Sequence, residues 1–414
     1  MASCRPEDIQ CFEIGSRKSP AWVGSRRDLG DDWPALELQA HRGIIHIEAR
    51  GEQVLIRGTT RTGLVVLPSG RRLVLRTKIP SLTLLEWLAF LGDFPRLTSW
   101  LPEAGVSLGQ SWHKCLGRML LYALEDVTRH HLKKDYVAVA TAASEIRGRI
   151  LSTALARELH RLPRVPQIQR WRTLDTPFNI ILARALDRSA LLLADGDPDD
   201  IRRLSLLRDQ WASIRRNIDD PAATIHLAQW ASPPGYRAAL QLAKLILIGA
   251  TLDPLSNMGG QAFTLSLAQL WERAVRRMFD EVAGPSGWRR VSDDQRTRRW
   301  DDPTGRDDSK RWLTADVIVE RSGERWVLDA KYKLEFGDES RMDWFQMCAY
   351  ALAFEANRAS LVYPTATGTV PVRRMLSTRV FGGGVEIDSL GLPMAAGPES
   401  CRAALASIID SAPV

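Results

Sequence analysis

A chain of 414 residues, 45% hydrophobic and 25% charged, is too apolar to be disordered and long enough for two or three domains, each with its own core. Its net charge of +7 favours a polyanionic partner without identifying one, because nucleic-acid binding requires a localised basic face. No apolar run reaches membrane-spanning length, Glu7 and Asp8 stand where an export signal would be apolar, and five scattered cysteines without a CxxC pair argue against a disulfide framework or structural zinc, so a cytoplasmic protein without a membrane partner is expected.

In chain order, residues 1–30 read as a loose polar lead-in. Alternating segments at 43–48, 53–57, 62–67 and 71–76, separated by glycines and polar turns, predict strands, so residues 1–80 form a β-rich module. Helical spacing then dominates residues 81–255. Helices are predicted at 82–91, at 107–131 through Leu108, Trp112, Leu116, Leu120 and Leu124, at 176–195 with Pro177 in its first turn, at 201–217 and at 236–252. His130 and His131 end one of these helices, where cations suit the dipole, and are read as structural. His113 and Cys115 are two potential ligands without a second pair, an incidental arrangement. Pro254, Asn257, Gly259 and Gly260 mark a break, after which helices and strands alternate. The expected fold class is multidomain α/β (α+β): a β-rich module at 1–80, a mainly helical region at 81–255 and an α/β domain at 256–414.

Residues 312–319 and 325–331 read as two strands joined by a tight Ser322-Gly323 turn. Strand alternation sets Trp326, Leu328 and Ala330 on one face and Val327, Asp329 and Lys331 on the other, so a carboxylate and an ammonium share a surface. Hairpin pairing would bring Asp316 towards Asp329. Two converging carboxylates repel unless a cation lies between them, and Mg²⁺, with Mn²⁺ as a substitute, is held by such a pair together with water and substrate phosphate. In this reading Asp316 and Asp329 hold the metal, with the Ala330 carbonyl as a further ligand, and Lys331 acts on the attacking water and the developing phosphate charge. Glu272, on the border of an amphipathic helix predicted at 263–281, would complete the metal shell. Gln346 and Tyr350, four apart on a helix predicted at 343–354, would orient water or phosphate. Each feature alone has a bland alternative: a solvated Asp-Lys pair, a surface glutamate, a glutamine capping a strand. Their order along the chain is what points to phosphodiester hydrolysis.

These residues fall in segments that resemble the McrC family, the nuclease subunits of McrBC modification-dependent restriction systems. The segment from Glu145 to Ile150 (EIRGRI) is similar to the family's R-G-R/K stretch, and that from Leu174 to Asn179 (LDTPFN) to its D-T-P-x-N stretch. Trp271-Glu272 resembles the hydrophobic-Glu pair before the nuclease strands. The segment from Leu328 to Lys333 (LDAKYK) is similar to the D-A-K-Y motif, and Gln346 to Tyr350 (QMCAY) to Q-x-x-x-Y. The resemblance spans roughly 40–380 and departs where Ala315 stands in place of the proline often found before the first aspartate. It implies a PD-(D/E)xK restriction-endonuclease-like core in which Asp316, Asp329 and Lys331 are catalytic and Glu272 and Gln346 support them. It also implies Mg²⁺-dependent cleavage of double-stranded DNA alongside a hexameric McrB-like AAA+ GTPase that the N-terminal part docks onto and stimulates. No GxxxxGK[ST] occurs, so this chain is not expected to bind nucleotide. Two alternatives stay open: an adaptor that activates an NTPase motor, with a vestigial nuclease, and a nuclease of the same type in repair or another defence system.

Overall fold

In the computed structural model, which describes residues 8–13, 21–92, 111–157, 164–193, 197–217, 233–249, 262–299, 312–333, 340–365, 372–380 and 383–410, the alternating N-terminal segments form strands. These are β3 (Ile45–Arg50), β4 (Gln53–Gly58), β5 (Arg61–Val66) and β6 (Arg72–Arg76), preceded by β1 (Ile9–Phe12) and β2 (Trp22–Ser25). The expected lead-in is thus partly built into the fold. Ile9 and Cys11 are fully buried, and β1 pairs in parallel with β6, but a four-residue strand is too short for its alternation to stand out in sequence. Short helices at Arg26–Leu29 and Trp33–His41 also precede the predicted strands; Leu29 and Leu36 join Ile9, Ile45, Val54, Ile56, Leu73 and Leu75 in one apolar core.

The chain divides into two compact units, Met1–Cys115 with Ile248–Val414, and Leu116–Leu247, the division falling within helix Trp112–Arg129. The second unit contains helices Pro177–Leu192 and Pro198–Gln210 and all but the last two residues of Arg237–Gly249, near the predicted positions. It also contains a three-stranded sheet in the order β7 (Asp135–Ala143), β9 (Val165–Thr173), β8 (Arg149–Ile150), which the mainly helical expectation missed. Most of β7 and the far half of β9 are exposed or only half-buried, so they carry no apolar face by which a strand is recognised. Two of the motif segments are structural here. Fully buried Gln167 accepts from the N–H groups of Arg147 and Gly148 and donates to the Glu145 carbonyl. Asn179 donates to the carbonyls of Lys133 and Leu174 and accepts from the Tyr236 hydroxyl, while Thr176 caps its helix.

The first unit resumes with β10 (Ala262–Ser266). Phe263, expected to open a helix, instead lies on this strand opposite Leu64, and β10 closes a four-stranded sheet in the order β1-β6-β5-β10. The helix starts at Leu267, where Ser266 caps it by accepting from the Gln269 N–H, and runs to Val282. A Cβ on Gly63 of β5, which has φ +139°, would stand 2.0 Å from the Phe263 carbonyl oxygen. Gly63→Ala is therefore expected to force β5 from β10 and to destabilise the protein by about 1–3 kcal/mol, read as a lower denaturant midpoint; an unchanged midpoint would refute the close approach.

Beyond that helix come β11 (Arg289–Arg290), β12 (Thr297–Arg299), β13 (Trp312–Thr314), β14 (Val317–Arg321), β15 (Glu324–Ala330), β16 (Arg358–Pro364), β17 (Val372–Val380) and β18 (Gly383–Leu392). Six of them form a mixed sheet in the order β11-β14-β15-β16-β18-β17; β12 pairs with β13. One face, through Trp326, packs on Phe279 and Trp288. The other, through Ile318, Val327, Ala359 and Leu361, packs on Met347, Tyr350 and Phe354 of helix Arg341–Ala353 and its end. A final helix, Pro398–Asp410, packs beside Leu267–Val282. Among the described residues no helix is long and apolar enough to cross a membrane.

Candidate active site

The hairpin β14–β15 sets the site. Ser322 (φ 50°) and Gly323 (φ 86°) both adopt the positive φ of a two-residue turn whose twist suits a hairpin. The register runs from Arg321 opposite Glu324 to Val317 opposite Leu328, so one further step aligns Asp316 with Asp329. The pairing is sealed by a hydrogen bond from the Ala330 N–H to Asp316 Oδ2 at 2.7 Å. Asp329, the penultimate residue of β15, is 4% exposed. Lys331 Nζ stands 2.7 Å from Asp329 Oδ2 as an ion pair, yet that oxygen accepts no hydrogen bond of good geometry. Parallel pairing of β15 with β16 and a bond from the Lys331 N–H to the Val362 carbonyl (3.0 Å) hold the strand end.

Burial raises both acids, and at Asp316 the charge of Asp329 adds to it. The Asp316 carboxyl is pushed up to about 7, first by burial, then by the Asp329 charge, with Glu272 adding to the rise and the Ala330 N–H and Lys331 opposing it. Asp329 is also raised, chiefly by burial, against the pull of Lys331. Two buried acids that share the single ammonium of Lys331 can accommodate an added cation.

Gln346 and Tyr350 share a helical face: Gln346 Nε2 donates to the Tyr350 hydroxyl (2.7 Å), which donates to the Thr314 carbonyl (2.8 Å), two residues before Asp316. Burial, then the Asp329 charge, push the Tyr350 hydroxyl up to about 12, so it stays a donor. Glu272 is near enough for its charge to raise both aspartates, but its carboxylate bonds Arg276 Nη2 at 2.9 Å, one helical turn on, rather than joining them in a cluster. Trp271 beside it donates to the Val362 carbonyl at 3.0 Å and fixes the helix on the sheet. Further along the motif, the Tyr332 hydroxyl donates to fully buried Glu13 (3.1 Å), and Lys333 Nζ donates to Asp343 (2.5 Å), the N-terminal cap box residue of the Gln346 helix.

Two arginines, Arg276 and Arg296, donate to the Asp316 carbonyl, and neither was picked out from sequence. Arg276 was within reach of the i,i+4 rule from Glu272. Arg296 lies in a 3-10 turn (Asp293–Arg296) that no spacing rule connects to Asp316.

Among the described residues no group of three or more His, Cys, Asp or Glu side chains is arranged to hold a metal ion. The donor set is the Asp316–Asp329 pair, with the Ala330 carbonyl adjacent. That set fits a hard ion such as Mg²⁺, which takes one or two carboxylates and leaves its other positions to water and substrate oxygens, and does not fit a closed zinc cage.

Residues 56–364 match the profile of a family described as McrBC 5-methylcytosine restriction system component. Among solved structures, a chain from the refined half-complex of a tetradecameric assembly of Thermococcus gammatolerans McrB AAA+ hexamers with bound McrC shares the fold, at TM-score 0.57 and 15% identity over 97% of this chain and 100% of that one. A chain from the cryo-EM structure of the Thermococcus gammatolerans McrBC complex aligns at TM-score 0.45 and 14% identity, over 67% of this chain and 88% of that one. No curated protein matches.

Proposed function

The chain belongs to the McrBC family of 5-methylcytosine restriction system components, and we propose that it is the DNA-cleaving subunit of such a system, a Mg²⁺-dependent endonuclease of the PD-(D/E)xK type. The observation that carries this reading is the meeting of Asp316, Asp329 and Lys331 at one strand end, held by the Ala330–Asp316 hydrogen bond. Asp316 and Asp329 would hold the ion, with the Ala330 carbonyl beside them. When bound, the ion supplies Lewis acidity and charge neutralisation at the phosphate. Lys331 orients the attacking water and offsets charge developing on the phosphate oxygens. Gln346, its amide already turned to the Tyr350 hydroxyl, orients water or a phosphate oxygen, and Glu272 adds negative charge at the rim that draws the cation in.

The partner in this reading is a hexameric AAA+ GTPase of the McrB kind. Likeness in fold to a chain from McrB hexamers with bound McrC, along nearly the full length of both chains, supports it. The chain would work in the cytoplasm on double-stranded DNA, with nucleotide hydrolysis left to the motor. Docking and cleavage are then separable. A Lys331→Ala protein is expected to stimulate the partner's nucleotide hydrolysis as the wild type does while failing to cut DNA. Loss of stimulation in that variant would contradict the separation. Stimulation by a wild type that never cuts modified DNA with Mg²⁺ and NTP would leave only the adaptor role.

A further inference from the structure

One side chain grips the backbone on which Asp316 is mounted. Arg296 is 8% exposed, and its Nη1 donates to the carbonyls of both Ala315 and Asp316, each at 2.7 Å. In return, the Ala315 N–H donates to the Arg296 carbonyl at 3.0 Å, a bond that a proline at 315 could not make. The guanidinium is steadied at its other edge, where Nε donates to Asp293 at 2.9 Å. Arg276 adds a further donor: its Nε reaches the Asp316 carbonyl at 3.3 Å while Nη2 holds Glu272. The bend at 315–316 is the point where the chain passes from β13 to β14, and it belongs to neither ladder. Without strand partners, its carbonyl directions are set by these side chains.

We infer that Arg296 is a positioning residue for the metal site: with Nη1 donating to two consecutive carbonyls while Nε of the same planar group is held by Asp293, it fixes the bend that turns the Asp316 carboxylate onto the Ala330 N–H and towards Asp329. This role rests on the proposed use of the carboxylate pair as a metal site. A guanidinium suits it better than an ammonium, because its donors are fixed in a plane while those of lysine turn freely around one point. The cost of losing it falls on the angle and distance between two carboxylates, and a divalent cation is sensitive to both.

The test is calorimetric titration of Mn²⁺ or Mg²⁺ into the full-length chain, without DNA or partner, for wild type, Arg296→Met, Arg296→Lys and Asp316→Ala. Wild type is expected to bind and Asp316→Ala to fail. Arg296→Met should bind about 10–100-fold more weakly with an unchanged circular dichroism spectrum, and Arg296→Lys should fall between. Wild-type affinity in a folded Arg296→Met protein overturns the positioning role while leaving the metal site standing. Should the Met variant not fold, Arg296→Lys keeps the buried charge without the fork and decides in its place: wild-type affinity there overturns the inference equally. A wild type that binds neither ion removes the carboxylate-pair reading and this inference with it.

Discussion

Lys331→Ala is expected to lower DNA cleavage at least ~100-fold, the scale on which a single preorganised cationic or hydrogen-bonding group at a reacting centre acts. The loss should appear in turnover, with DNA binding nearly unchanged, because Lys331 is one cation in a chain of net charge +7 but the one beside Asp329. The fold should survive for a specific reason. Removing the ammonium leaves the buried Asp329 carboxylate without its countercharge, and an ionised carboxylate in that position would be strongly destabilising. Its proton affinity is already raised by burial, so it takes up a proton instead of remaining charged. The variant should therefore unfold near the wild-type temperature at mildly acidic pH and lose ground as pH rises. Cleavage at the wild-type rate by a folded Lys331→Ala protein would sink the catalytic assignment.

Asp316→Asn should abolish cleavage and, without metal, make the protein more stable than wild type at about pH 8. The ordinary carboxyl value of 3.8 describes the unfolded chain, and about 7 the folded one. Between these values the folded state binds a proton that the unfolded state lacks, so the wild type loses stability as pH rises through the window and is least favoured above it. Asparagine keeps an oxygen for the Ala330 N–H and carries no charge, so its advantage should be full above about pH 7 and fade towards pH 4. Each kcal/mol relieved should raise the unfolding temperature by roughly 2–4 °C or less for a chain of this size. Mg²⁺ should reverse the order at pH 8, raising the melting temperature of wild type alone. For the same reason metal affinity should climb as pH passes about 7, where proton and cation cease to compete. An Asn variant less stable than wild type at pH 8 in metal-free buffer would show that repulsion and burial do not govern this pair.

The core of this site was legible because it is written in short-range patterns. Period-two alternation and the Ser322-Gly323 turn gave the hairpin and its register, and with it the approach of Asp316 to Asp329. Helical periodicity put Gln346 and Tyr350 on one face, and they do meet through a hydrogen bond. Glu272 does lie on a helix, and i,i+4 spacing allows its bond to Arg276, but spacing alone does not say that this partner wins over the aspartates. What escaped notice lies in long-range pairing. Phe263, Leu267 and Leu270 fit one helical stripe as well as they fit a strand followed by a helix; the partner that decides between them, β5, is about two hundred residues earlier. The same pairing joins the N-terminal sheet to the segment that opens the site's helix. Strands β7 and β9 failed to show for the opposite reason, since largely exposed strands have no buried face to impose alternation.

The most direct measurement is anomalous diffraction from crystals of the full-length protein grown or soaked with Mn²⁺. A single strong peak is expected with an oxygen of Asp316 and an oxygen of Asp329 each about 2.1–2.3 Å away, Lys331 displaced from its contact with Asp329 but still beside the ion, and no such peak in Asp316→Ala crystals. Mn²⁺ bound elsewhere, with this carboxylate pair empty at saturating ion, would contradict the account.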